Sequence, residues 1–180
     1  MVKNKIKHLA ETYKTVSENK IKHLEFIQDV ITRMNTNSFQ IKCMSITITA
    51  AVLALYASSG NPLYFFVAVI TDIFFWFLDA YYLQQERKFR GIYNDVAELT
   101  SEENRIHVQE FEMPLQKYKY EKNKGKKHPS KKYSYWNVFR SKTIWPVYLI
   151  LIAALLVGGI LLSKGIVEIN INIPARGVPK

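Results

Sequence analysis

The chain has 180 residues, 48% of them hydrophobic, and 25 Lys and Arg against 15 Asp and Glu give it a formal charge of +10. Its single cysteine, Cys43, excludes an intramolecular disulfide and any metal site built on cysteines. The apolar residues gather in three blocks, roughly 41–58, 62–83 and 144–163, each near the ~20 helical residues that cross a hydrocarbon core. On such a chain a positive excess speaks first to topology and lipid contact, and only then to nucleic acid.

Residues 1–40 read as cytosolic amphipathic helices. Ile6, Leu9, Tyr13 and Val16 share one narrow face, and Ile21, Leu24, Ile27, Ile31 and Met34 make a second apolar stripe. The chain is polar well before its first apolar block, which is unlike a secretory signal. Asn35-Thr36-Asn37-Ser38 competes for backbone hydrogen bonds and predicts a break or cap before the first span.

Residues 41–83 read as a transmembrane hairpin. Ser45, Thr47 and Thr49 dilute its first block, so a buried soluble hairpin stays open for the first two blocks. Ser45, Thr49, Val52 and Tyr56 lie on one stripe, suited to a helix–helix contact or a wet lumen. The turn Ser58-Ser59-Gly60-Asn61-Pro62 carries no charge, whereas 1–42 and 84–143 hold nearly all the Lys and Arg. The positive-inside bias therefore places both flanks in the cytosol and the turn outside. Asp72 and Asp79 sit in the second block, almost two helical turns apart and hence on one face. An ionised group at mid-span costs roughly 2.5–3.5 kcal/mol on insertion scales. That face is either a helix–helix interface or a pore face; the bland alternative is an interfacial Asp79 and a hydrogen-bonded Asp72.

Residues 84–143 extend the second span as an amphipathic helix with Phe89, Ile92, Val96 and Leu99 on one side. Arg87, Lys88 and Arg90 cluster just below the membrane. Thr100 or Ser101 offers a cap for a short acidic helix to about Gln109. Between 117 and 142 ten Lys or Arg face one acid, Glu121, and alternate with Tyr118, Tyr120, Tyr133, Tyr135 and Trp136. The Gly125-to-Ser130 portion is expected not to hold a helix. The cationic run serves topology and anionic headgroups, or a nucleotide or single-stranded nucleic acid whose bases stack on the rings, or a partner protein. Residues 144–163 form an uncharged third span that carries the C-terminus outward, and 164–180 are a short β-prone tail.

No Gly-rich phosphate loop, paired metal-spaced histidines or nucleophile elbow is present. His8, His23, His107 and His128 are scattered and read as surface residues. An aspartyl-protease dyad needs two carboxylates that face each other, whereas Asp72 and Asp79 arise about 10 Å apart along one helix. The expectation is a non-enzyme without catalytic residues, metal or cofactor. Three small helices cannot enclose an aqueous pore alone, so a pore requires a homo-oligomer. In it Asp72 and Asp79, with Ser45 and Thr49, would make acidic collars for cations. Alternatively, the acids pair with hydroxyls or amides and only hold the bundle.

The stretches HLEFIQDVITRMNTNSFQIK (23–42) and FWFLDAYYLQQERKFRGIYNDV (75–96), with Phe139-Arg140-Ser141-Lys142-Thr143-Ile144-Trp145-Pro146, resemble a family of small bacterial membrane proteins. The likeness covers roughly 20–150. One departure is Gly91, where a bulkier helix former is expected and the helix should loosen. The architecture is similar to two-span transmembrane effectors of bacterial antiviral defence, among them those of the Hailong system. That resemblance implies a homo-oligomeric ion channel, a tetramer, in the inner membrane. It also implies a partner nucleotidyltransferase whose single-stranded DNA oligomer, or another nucleotide messenger, holds the channel shut. Arg87, Lys88 and Arg90 are the first candidates for that ligand, and Lys117, Lys119, Lys131 and Lys132 the second. The competing expectation is a non-conducting membrane anchor or scaffold that recruits a cytosolic partner.

Overall fold

The computed structural model describes the backbone of residues 2–119 and 131–163, and the side chains of residues 14, 16–119 and 131–162. Among the described residues four helices form: α1 (Val2–Ser59), α2 (Leu63–Val96), the short α3 (Tyr135–Phe139) and α4 (Trp145–Ser163). Single 3-10 turns occur at Glu102–Asn104, Leu115–Lys117 and Lys131–Tyr133, and no strand occurs among the described residues. Val16–Ser59 of α1, all of α2 and Trp145–Leu162 of α4 are each long and apolar enough to cross a membrane.

The α1–α2 hairpin is the frame. Gly60 takes a left-handed backbone, φ +67°, and donates its N–H to the Tyr56 carbonyl at 2.8 Å, which closes α1. Asn61 Oδ1 accepts the Leu63 N–H at 3.0 Å, and Pro62 needs no donor where α2 begins. Below the turn the two helices run antiparallel with heptad-like burial. On α1 the enclosed positions include His23, Ile27, Ile31, Ser38, Ile41, Ser45 and Thr49; on α2 they include Ala68, Asp72, Phe75, Asp79, Leu83, Glu86 and Phe89. Steps of three and four are the spacing of a supercoiled helix pair.

α4 packs antiparallel to α2. At its start, buried Tyr148 lies parallel to Trp76, with ring centres 6.0 Å apart. Towards its end, Gly159 lies against Phe65 beside the hairpin turn. Trp76 also stacks on Phe139 at 4.3 Å and donates Nε1–H to the Phe139 carbonyl at 3.1 Å, which pins α3 across α2.

A second packed lobe surrounds the charged end of the hairpin. Ile27, Ile31, Phe89 and Ile92 enclose Tyr118 and Tyr133 there. α2 ends in a Schellman turn: Leu99 N–H bonds the Asn94 carbonyl at 2.8 Å, and Glu98 N–H bonds that of Asp95 at 3.2 Å. Glu98 occupies the left-handed position, φ +59°, where glycine is usual, and pairs with Lys20 of α1 at 2.5 Å. The Lys20 bond and charge hold its carboxyl below the usual range.

Several expectations are corrected. Residues 35–38 do not break the helix. Thr36 bonds back to the Thr32 carbonyl at 3.0 Å and Ser38 reaches across to Asp79, so both hydroxyls are used without ending α1. The acidic helix to Gln109 is only one 3-10 turn, after which the chain extends along α1. The buried stripe runs through His23 rather than Ile21, which is exposed; His23 Nε2 donates to the Glu112 carbonyl at 3.1 Å. His107 is exposed. The loosening expected at Gly91 does not occur, because α2 continues through Val96. A Cβ at Gly91 would overlap the Tyr133 hydroxyl and lie 2.8 Å from the Tyr118 ring, so the missing side chain is the seat of two tyrosines. The faces around Ile6, Leu9 and Tyr13, the side chain of His8, residues Tyr120, Glu121, Gly125 to Ser130 and the tail lie outside the described residues.

Gly91→Ala should therefore destabilise the lobe by about 1–3 kcal/mol, the usual cost of overpacking. Hydrogen exchange at residues 115–119 and 131–133 should accelerate; unchanged protection there would contradict the packing.

Candidate functional site: a buried polar seam above a basic neck

Between α1 and α2 the apolar packing is interrupted twice. Asp72 is fully enclosed, and its Oδ1 accepts hydrogen bonds from Ser45 Oγ at 2.6 Å and Thr49 Oγ1 at 2.8 Å. Ser45 and Thr49 are one helical turn apart, so both hydroxyls reach a single oxygen. Asp72 Oδ2 has no hydrogen-bond partner among the described residues. Two turns along α2, Asp79 is also fully enclosed; Ser38 Oγ donates to its Oδ1, and Lys42 Nζ lies 2.6 Å from its Oδ2. Lys42 also donates to Ser38 Oγ at 2.8 Å, which closes a three-membered network. Tyr148 of α4 is buried beside the same carboxylate.

The four candidate pathway residues, Ser45, Thr49, Asp72 and Asp79, thus come together in one seam. The seam faces the chain's own α1. Each acid has its own partners, so the two do not share a proton within the protomer. Ser38 and Lys42 complete the seam and were not among the sequence candidates. Their signal was available: Ser38, Lys42, Ser45 and Thr49 recur at steps of three and four along α1, in step with the acids on α2.

The cations at the neck are more occupied than their clustering suggests. Arg87 donates to Ser141 Oγ at 2.6 Å and to the Lys132 carbonyl at 3.5 Å, tying the returning chain to α2. Gln84 supports the same strap through the Tyr133 carbonyl at 2.8 Å. Arg90 pairs with Glu86 at 2.7 Å but keeps most of its side chain exposed. Lys88 is buried, with Lys119 close by. Lys117 reaches Glu112 at 3.3 Å, while Lys119, Lys131 and Lys132 lie at the surface.

Of the candidate stacking rings, Tyr118 and Tyr133 are enclosed in the lobe, and Tyr135 donates to the Phe77 carbonyl at 2.9 Å. Trp136 is exposed, at 65%. Tyr118 donates to Asp95 at 2.6 Å; burial and that carboxylate push its ionisation well up, and burial pushes Tyr133 up to about 12. Both are neutral structural groups rather than faces for a base. No cluster of three His, Cys, Asp or Glu able to hold a metal occurs among the described residues.

No family model, curated protein or solved structure matches the chain.

Removing Lys42 should strand the Asp79 charge. Lys42→Met is expected to cost about 3 kcal/mol, whereas Lys42→Met combined with Asp79→Leu should recover most of that loss. Thermal unfolding in detergent, followed by circular dichroism, reads both. Additive losses in the double variant would contradict a coupled pair.

Proposed function

We propose that the chain is the protomer of a homo-oligomeric, ligand-gated cation channel, a membrane effector of bacterial anti-phage defence. The observation that carries this reading is Asp72, enclosed among apolar helices with one carboxylate oxygen unpartnered among the described residues. A buried acceptor without a donor costs about 1–3 kcal/mol, so a residue serving stability alone would be better as an amide or hydroxyl. A cation path uses such an acceptor.

Three further features support the reading. α2 is one uninterrupted helix that carries the acids in its first half and Arg87, Lys88 and Arg90 in its second. The connection bears a basic surface at Lys119, Lys131 and Lys132. Positive-inside bias assigns that basic end to the cytosol and, with α4 antiparallel to α2, the C-terminus to the outside of the inner membrane. In the proposed mechanism the seam is shut: Ser45 and Thr49 hold Asp72, and Lys42 neutralises Asp79. A single-stranded DNA oligomer, made by a partner nucleotidyltransferase, bridges basic surfaces of neighbouring protomers in a tetramer and favours that packing. Its loss lets α1 and α2 part, exposes the acids to a central path and depolarises the membrane. Only a ligand with different affinities for the two packings can drive this change.

The second reading is a non-conducting anchor or scaffold that recruits a cytosolic partner. It is favoured by the internal pairing of Asp79 with Ser38 and Lys42, which leaves that acid no open face.

Proteoliposomes separate the two. With protein and oligonucleotide present, nuclease digestion of the oligonucleotide should raise cation flux severalfold, and Asp72→Asn should reduce cation preference. No flux before or after digestion would reject the channel and leave the scaffold.

A further inference from the structure

A cavity of about 430 Å³ opens at the neck, between α1, α2 and the chain entering α4. Three cations line it: Lys42 from α1, and Arg87 and Arg90 from α2. Glu86 is the acid in its wall, and Asp79 lies behind Lys42. Ser38 and Thr143 add hydroxyls, while Phe39, Leu83 and Ile144 supply apolar wall.

The residues that line the cavity identify its occupant. Lys42 is the last charged residue of α1 before its apolar block, and Thr143 directly precedes the apolar run of α4. Glu86 and Arg87 are the first charges of α2 after Asp79. The cavity therefore gathers residues from the charged ends of all three apolar helices. Trp145, two residues beyond Thr143, is exposed, and indoles favour the membrane–water interface. Phe39 is 67% exposed directly beside the cations. Guanidinium groups suit the oxygens of a phosphate, and basic pockets between spanning helices suit anionic headgroups. The volume lies in the range of small-molecule sites, about 300–1,000 Å³.

We infer that this cavity binds the phosphate of an anionic phospholipid, with the acyl chains leaving along the exposed Phe39. Arg90 is the cation best placed to turn towards the phosphate: its partner Glu86 shares the cavity wall, and its side chain is largely exposed. Arg87 shapes the cavity while it holds Ser141. The inference needs the helices to sit in a membrane, but it does not need the chain to conduct ions.

Native mass spectrometry of the full chain released from detergent tests this. With phosphatidylglycerol and phosphatidylcholine offered together, about one phosphatidylglycerol per protomer should be retained in preference to phosphatidylcholine. Arg90→Gln should weaken retention at least tenfold, and Thr143→Val should weaken it less. Circular dichroism should confirm that both variants remain folded. Millimolar inorganic phosphate should leave the lipid in place. Equal retention of the two lipids, or unchanged retention in both folded variants, would overturn the assignment. Displacement by inorganic phosphate would make this a free-anion site, and displacement by a single-stranded oligonucleotide would assign the cavity to that ligand. Either displacement also rejects the lipid.

Discussion

A carboxylate enclosed by apolar helices must be met by donors, and that requirement fixes how α1 lies on α2. Asp72 is met by Ser45 and Thr49, Asp79 by Ser38 and Lys42. A shift of α1 by one residue would turn these donors off the shared face and bring residues such as Met44, Ile46 and Ile48 to the acids instead. Apolar packing alone does not discriminate so sharply, because neighbouring registers offer similar burial. Specificity of register is the best-attested use of buried polar groups in helix pairs. The rest of the protein is positioned by this register. α4 lays Tyr148 beside Asp79, and the lobe at the charged end joins helices whose alignment is set above it.

The lobe turns a cationic sequence into a packed structure. Gly91 leaves a gap on α2, Tyr118 and Tyr133 fill it, and Arg87 and Gln84 hold the backbone of the returning chain. Charge and aromatic content on paper are thus divided between structure and surface. Tyr118 and Tyr133 belong to the core. Arg90, Lys119, Lys131, Lys132 and Trp136 remain at the surface and are the groups an anionic ligand would meet.

Much of the architecture was legible in the sequence because its signals are long and redundant. Three apolar blocks, the uncharged turn at Gly60 and the heptad-like positions around Asp72 and Asp79 all point to one hairpin. The continuity of α1 was not legible. Asn35-Thr36-Asn37-Ser38 has the composition of a cap, and only the partner carboxylate across the hairpin shows why Ser38 is spent elsewhere. Gly91 was misread for the same reason, since its neighbours Tyr118 and Tyr133 are distant in the chain. His23 was hidden because its acceptor, the Glu112 carbonyl, lies in a segment without periodicity. Pairing of Ser45 and Thr49 with Asp72 was half visible: the stripe of hydroxyls was plain, but spacing does not say whether they face a lumen or a helix.

The central claim is that the acids are partnered within their own chain. Disulfide trapping in membranes tests it most directly. In a Cys43→Ser background, Thr49→Cys and Asp72→Cys together should cross-link upon mild oxidation as a single chain that migrates as a compact monomer. Dimers or a ladder of higher species, with little monomeric cross-link, would place Asp72 at a contact between chains and contradict the account.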